Sequence, residues 1–140
     1  MRFKKITEAF YLAFVVYREA RGTSKEAQIA VAYSVLDRVA NPRWWGHSID
    51  EVVTKRWQYS SLTDPRDPQL SWSWPTMKTP AWSTCFDSAM CAKNGTVPNP
   101  MPGADSYYDV SVFEPKWARA TGVIKVGEIG RLIFFNTKGA

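Results

Sequence analysis

Residues 7–21 of this 140-residue chain place the tightest limit on how it can fold. At helical spacing, Phe10, Phe14 and Tyr17 share one face, and Ala13, Val16 and Ala20 share the next. A helix that is apolar on nearly every side belongs at the centre of a domain, with the rest of the chain packed around it. Gly22 ends it. Near that end stands Glu19, in the run Tyr17-Arg18-Glu19-Ala20-Arg21-Gly22. A carboxyl group among apolar side chains has its charged form disfavoured, so it holds a proton nearer neutral pH and suits general-acid chemistry. The plainer reading is a solvated acid paired with Arg18 or Arg21, and the residues alone leave both open.

The elements that follow are short. A capping-box match from Thr23 to Glu26 opens a second helix, running to Ala40 with Ala32, Val35, Leu36 and Val39 as its buried stripe; Asn41-Pro42 stops it. A second match, Ser48 to Glu51, opens a short helix through Ile49, Val52 and Val53. Trp57-Gln58-Tyr59-Ser60-Ser61 alternates and reads as extended. Residues 62–79, with Pro65, Pro68, Pro75, Trp72 and Trp74, form a long loop, either a rim over a cleft or a tied-down surface segment. Thr79-Pro80 begins a fourth helix that Asn94-Gly95 ends. After a Pro-rich stretch at 96–103 the pattern turns strand-like at Ser106-Tyr107-Tyr108, at Val123 to Val126 and at Arg131 to Phe135. Gly127-Glu128-Ile129-Gly130 suggests a hairpin. Helices first, then a small antiparallel sheet in the C-terminal third, make a mainly helical α+β chain, expected as one domain over 1–140.

Composition narrows the partners. The net charge of +5 favours something anionic, but it is spread along the chain without a basic stripe, which argues against nucleic acid. Seven Trp, six Tyr and seven Phe supply a core, a carbohydrate cleft, or both. With one histidine, His47, and two cysteines, a zinc site is not expected. Cys85 and Cys91, about 240° apart on a helix, cannot bridge within it and read as buried free thiols. Met1-Arg2-Phe3-Lys4-Lys5 followed by Ala9 to Tyr17 imitates a signal peptide. Glu8 interrupts it, no small-residue cleavage site follows, and it is too short to span a bilayer. It reads as the first core helix, without an export signal or stable membrane insertion.

The runs YREARG (17–22), EAQIAVAYSVLDRV (26–39), WQYSS (57–61), GADSYYD (103–109) and IGRLIFF (129–135) resemble, in order and rough spacing, the SleB-like cell-wall hydrolases. These are spore-cortex-lytic enzymes and their phage relatives. The resemblance implies a lysozyme-like fold, cleavage of peptidoglycan glycan strands, Glu19 as the catalytic acid, and neither metal nor cofactor. A stand-alone domain without a signal is similar to a phage endolysin. Such a protein is made in the host cytoplasm, is expected to be monomeric, and reaches the wall after a holin opens the inner membrane. The chain departs from the family where Asp37 replaces Asn, Leu132 replaces a His of the final strand, Ser106 stands where His is frequent, and Tyr59 replaces Phe. Neither Leu132 nor Ser106 is therefore given a catalytic role.

Substrate-binding candidates are Trp57, Gln58, Tyr59, Ser60, Tyr107 and Tyr108. Gln58 and Ser60 are short hydrogen-bonding groups suited to N-acetyl and hydroxyl groups, or polar residues of a sheet edge. Tyr107 and Tyr108 alternate, so one faces the cleft and the other packs; which one stays open. Trp57, Trp72 and Trp74 stack on sugars or pack. A hydrolase needs a second carboxylate, for which Asp64, Asp67, Asp105 and Asp109 are candidates, each also readable as a loop or turn acid. A lytic transglycosylase needs only one, because the sugar's own C6 hydroxyl closes on C1 to give a 1,6-anhydro product. The motif runs hold one acid in an apolar setting, so the transglycosylase is preferred, with a muramidase or a non-catalytic wall-binding module as alternatives.

Overall fold

Helix α1 (Arg2–Ala20) lies at the centre, packed by α2 (Lys25–Ala40), α3 (Ile49–Thr54) and α4 (Trp82–Lys93). The computed structural model describes residues 2–55, 58, 59, 62, 64, 66, 67, 69 and 75–140. Both faces foreseen for α1 are used. Leu12, Ala13, Val15, Val16 and Ala20 are buried. Phe14 and Tyr17 meet the Trp82 ring of α4 at centroid distances of 5.3 and 5.8 Å, and Phe10 meets Phe86 at 5.7 Å. Helix α1 also starts earlier than its apolar pattern, at Arg2. Nothing between Arg2 and Thr7 breaks a helix, so the backbone continues into an exposed turn carrying Phe3 and Ile6.

The caps differ in detail from the sequence pattern. Ser24, not Thr23, caps α2: its Oγ accepts the Ala27 N–H at 3.1 Å. Thr23 instead donates its hydroxyl to the Ala20 carbonyl at 2.6 Å, satisfying an orphan acceptor at the end of α1. Between the two helices Gly22 takes φ +82°, a conformation that costs glycine little. Ser48 caps α3 as expected, accepting the Glu51 N–H at 3.4 Å, while Glu51 Oε2 takes the His47 N–H at 2.8 Å. Helix α4 begins at Trp82, two residues after Pro80, because Ala81 sits in the left-handed region at φ 68°. Cys85 and Cys91 are both free thiols; Cys85 is buried, but Cys91 is only half-buried.

Strands β1 (Ser106–Asp109), β2 (Ile124–Ile129) and β3 (Leu132–Asn136) form an antiparallel sheet of order β1-β3-β2. Tyr107 lies opposite Phe134, and Ile129 opposite Leu132. The hairpin is tighter than its Gly-rich signature suggested: residues 127–129 belong to β2, and the turn is Gly130-Arg131. A bulge between Lys125 and Gly127 shifts the register. Leu132 and Phe134 are buried in the core. Tyr108 stacks on Phe135 at 5.7 Å, and Trp117, from a 3-10 turn at Lys116–Arg119, meets Phe135 edge-on at 5.3 Å.

The extended reading of 57–61 does not hold for its described residues. Gln58 and Tyr59 lie in a turn, with Gln58 N donating to Lys55 O at 3.2 Å and Leu62 N to Tyr59 O at 2.8 Å. Alternation makes a strand only where a neighbouring strand completes the ladder, and none of the described strands pairs here. Trp57, Ser60 and Ser61 lie outside the described residues, as do Trp72 and Trp74.

Candidate active site

The last turn of α1, the far end of α2 and the start of β1 converge on a cavity of about 370 Å³, a size typical of small-ligand sites. Glu19 lines it with Arg38, Gln58, Tyr59, Ser106 and Tyr107. Arg43 and Trp44 come from the loop after α2; Trp117, Ala120 and Val123 come from the segment before β2, and Thr137 and Ala140 follow β3. Among the described residues lining it, Glu19 is the only acidic one. Thus Glu19, Gln58, Tyr59 and Tyr107 share one cavity. Tyr108 does not line it, packing with Phe135 and Trp117 instead. Trp57 and Ser60 fall outside the described residues.

Glu19 is half-buried. The Tyr107 hydroxyl donates to its Oε1 at 3.3 Å. Burial, followed by the negative charge of Glu19, pushes the Tyr107 hydroxyl well above its ordinary value. It therefore stays protonated and remains a donor. Tyr59 is also raised, by burial first and by Glu19, against a lowering from Arg38. Two protonated phenols thus line the cavity with the carboxyl group.

Arg38 is the hub of the site. Its side chain is buried, with Nε donating to the Asp105 carbonyl at 2.7 Å, Nη1 to Gln58 Oε1 at 3.2 Å and Nη2 to Ser106 Oγ at 3.2 Å. Its guanidinium lies 4.9 Å from the Trp45 ring centroid and 5.6 Å from that of Tyr59. The planar fork serves three acceptors at once, while the rings accept the cation's charge. Arg38 was not among the candidates from sequence. The signal was present: Arg38 falls seven residues after Val31 and three after Val35, both buried, so it sits on the inward face of α2. A cation placed there has to be serving polar partners.

Asp105 anchors the strands beneath. It is buried and accepts from Ser106 Oγ at 2.8 Å, Thr137 Oγ1 at 2.7 Å, Thr137 N at 3.0 Å and Lys138 Nζ at 3.2 Å. Burial pulls its carboxyl up, but hydrogen bonds from Thr137, Ser106 and Lys138 outweigh this and leave it below the usual value. Lys138 Nζ also lies 2.5 Å from Asp37 Oδ1 and supplies its counter-charge. The C-terminal residues reach the cavity because Gly122, at φ +88°, has no side chain; a Cβ there would lie 2.0 Å from the Gly139 carbonyl oxygen.

The arginines beside Glu19 tie Gln69 to the end of α1. Arg18 Nη1 donates to the Gln69 carbonyl, and Arg21 Nη1 donates to Gln69 Oε1 at 2.9 Å and to the Tyr17 carbonyl at 2.9 Å. The other candidate acids are engaged locally. Asp64 takes two bonds from the Arg66 guanidinium, which lower its carboxyl, and Asp67 accepts the Gln69 N–H at 2.9 Å. Asp109 holds Arg131 at 2.6 Å and the Ser111 N–H at 2.8 Å. Leu132 is buried apolar core. No described helix is long and apolar enough to cross a membrane.

Two solved structures share this fold. The catalytic domain of the Bacillus cereus SleB protein is 24% identical, with a TM-score of 0.69 over 91% of this chain and 88% of that one. The catalytic domain of the germination-specific lytic transglycosylase SleB from Bacillus anthracis is 24% identical, with a TM-score of 0.70 over 91% of this chain and 92% of that one. No curated protein matches the chain. A family model described as Cell Wall Hydrolase matches residues 22–135, beginning three residues past Glu19. That match runs from before α2 to Phe135 in β3, and takes in Arg38, Gln58, Tyr59, Ser106 and Tyr107, the walls around the carboxyl group. The chain belongs to the cell wall hydrolase family.

Proposed function

We propose that this protein cuts the glycan strands of peptidoglycan as a lytic transglycosylase, with Glu19 acting first as acid and then as base. The observation carrying this is that Glu19 is the only acidic side chain among the described residues lining the cavity. Asp64, Asp105 and Asp109 are committed to hydrogen bonds elsewhere. One carboxyl group suffices if the substrate supplies its own nucleophile. Glu19 gives its proton to the glycosidic oxygen as the bond to C1 breaks. The C6 hydroxyl of the same sugar then attacks C1 and returns its proton to the Glu19 carboxylate. The products are a 1,6-anhydro ring and a free hydroxyl on the leaving sugar, and no water is consumed. Tyr107 orients the carboxyl group, and Gln58, held by Arg38, faces the sugar's N-acetyl and hydroxyl groups. The description of the Bacillus anthracis structure as a lytic transglycosylase supports the same chemistry.

Mass spectrometry of digested peptidoglycan tests this. Anhydro-muramyl ends are expected; reducing muramyl ends would make the protein a hydrolytic muramidase and require a second carboxylate. The setting proposed is that of a phage endolysin acting on the wall as a monomer after holin release. Expression in a bacterial cytoplasm should then lyse cells only when a holin is co-expressed.

A further inference from the structure

We infer that the loop between α2 and α3 carries a second sugar-binding subsite, in which Trp44 stacks on a pyranose ring of the glycan at the edge of the cleft. This rests on the glycan reading above and extends it to a residue outside the acid chemistry. Among the described residues, Trp44 alone is both a large apolar side chain left exposed and a lining residue of the Glu19 cavity. It is 52% exposed, whereas its neighbour Trp45 is 0% exposed. Leaving an indole in water forfeits the burial that its neighbour gains, unless something covers it in the working state.

The mount is rigid. Trp45 donates its indole N–H to the Arg38 carbonyl at 2.9 Å. The Trp44 ring leans on Trp45 at 5.3 Å and 60°. Gly46 N donates to Arg43 O at 3.2 Å, closing a tight turn around both rings. Arg43 lies 5.0 Å over Trp45 and donates to the Thr137 carbonyl at 3.0 Å. An exposed ring held on a fixed base loses little entropy on binding, as a stacking platform requires. Trp117 lines the same cavity from another segment, half-buried against Tyr108 and Phe135. Two indoles and a carboxyl group on one cavity fit a polymer of neutral-faced rings longer than the two sugars that flank the broken bond.

The test is calorimetric binding of soluble glycan fragments, freed of stem peptides, to the Glu19→Gln protein, where no turnover intervenes. Adding Trp44→Ala should weaken a four-sugar fragment about tenfold, the loss of one good aromatic contact. Trp44→Phe should keep most of the affinity, and a two-sugar fragment should bind both proteins alike. The melting temperature should fall only slightly, because about half of the ring is already in water. Equal affinity of the Trp44→Ala protein for the longer fragment overturns the subsite and leaves the cleavage chemistry standing. Failure of every form to bind glycan, with wall digestion also absent in the wild type, removes the glycan reading and the subsite together.

Discussion

The Tyr107 hydroxyl donates to Glu19 Oε1 across 3.3 Å, joining the last turn of α1 to β1. This contact crosses the seam between the helical part and the sheet, and the cavity opens along the same seam. Neither half completes the site alone: the carboxyl group comes from one and its orienting phenol from the other.

Replacing Tyr107 by Phe keeps the ring against Phe134 and removes only the donor. Turnover should fall about tenfold, the value of a hydrogen bond to a charged group, with KM little changed. Turbidity clearing at several cell-wall concentrations separates turnover from KM.

Arg38 serves three acceptors from a buried position. Arg38→Ala should cost roughly 2–4 kcal/mol of stability, since the buried acceptors lose their donors. Arg38→Lys keeps the charge but not the fork. It should recover part of the stability yet leave KM raised, because Gln58 loses its partner. Thermal melts and saturation kinetics separate the two.

Asp105 gives the protein a defined response to acid. Its folded value lies below the usual carboxylate range. Its stabilisation is therefore fully present above the unfolded value of about 3.9 and is lost as pH falls through the depressed folded value. Asp105→Asn should lose about 2 kcal/mol at neutral pH and show a shallower loss of stability in acid. Urea titrations at several pH values check this.

Cys85 and Cys91 should differ in reactivity. Burial pushes the Cys85 thiol up to about 11, so little thiolate is present at mildly alkaline pH. A thiol reagent should label Cys91 in the folded protein and reach Cys85 only after unfolding. Equal labelling rates would contradict the burial of Cys85.

Much of this was legible where a residue's role follows from local pattern. The all-round apolar face of α1, the Ser48 cap and the late strands could be read because periodicity and capping act within a few residues. Glu19 stood out because an acid in an apolar run conflicts with its surroundings. Other features depended on contacts distant in sequence. Gln58 and Tyr59 alternate with their neighbours like a strand, yet they turn to meet Arg38, twenty residues earlier in the chain. Tyr107 and Tyr108 are equivalent by pattern; only the pairing of β1 with β3 decides that Tyr107 faces Glu19. Ser24 and Thr23 are both good caps; Thr23 lies within reach of the Ala20 carbonyl and closes α1, leaving Ser24 to cap α2.

The most direct measurement compares wild type and Glu19→Gln on the same purified peptidoglycan, with products identified by mass spectrometry and folding checked by melting temperature. The expected result is anhydro-muramyl ends from the wild type and a rate at least about 100-fold lower from a variant that melts normally, as loss of a general acid requires. Clearing of the wall by Glu19→Gln at the wild-type rate would contradict the assignment of Glu19 as the acid.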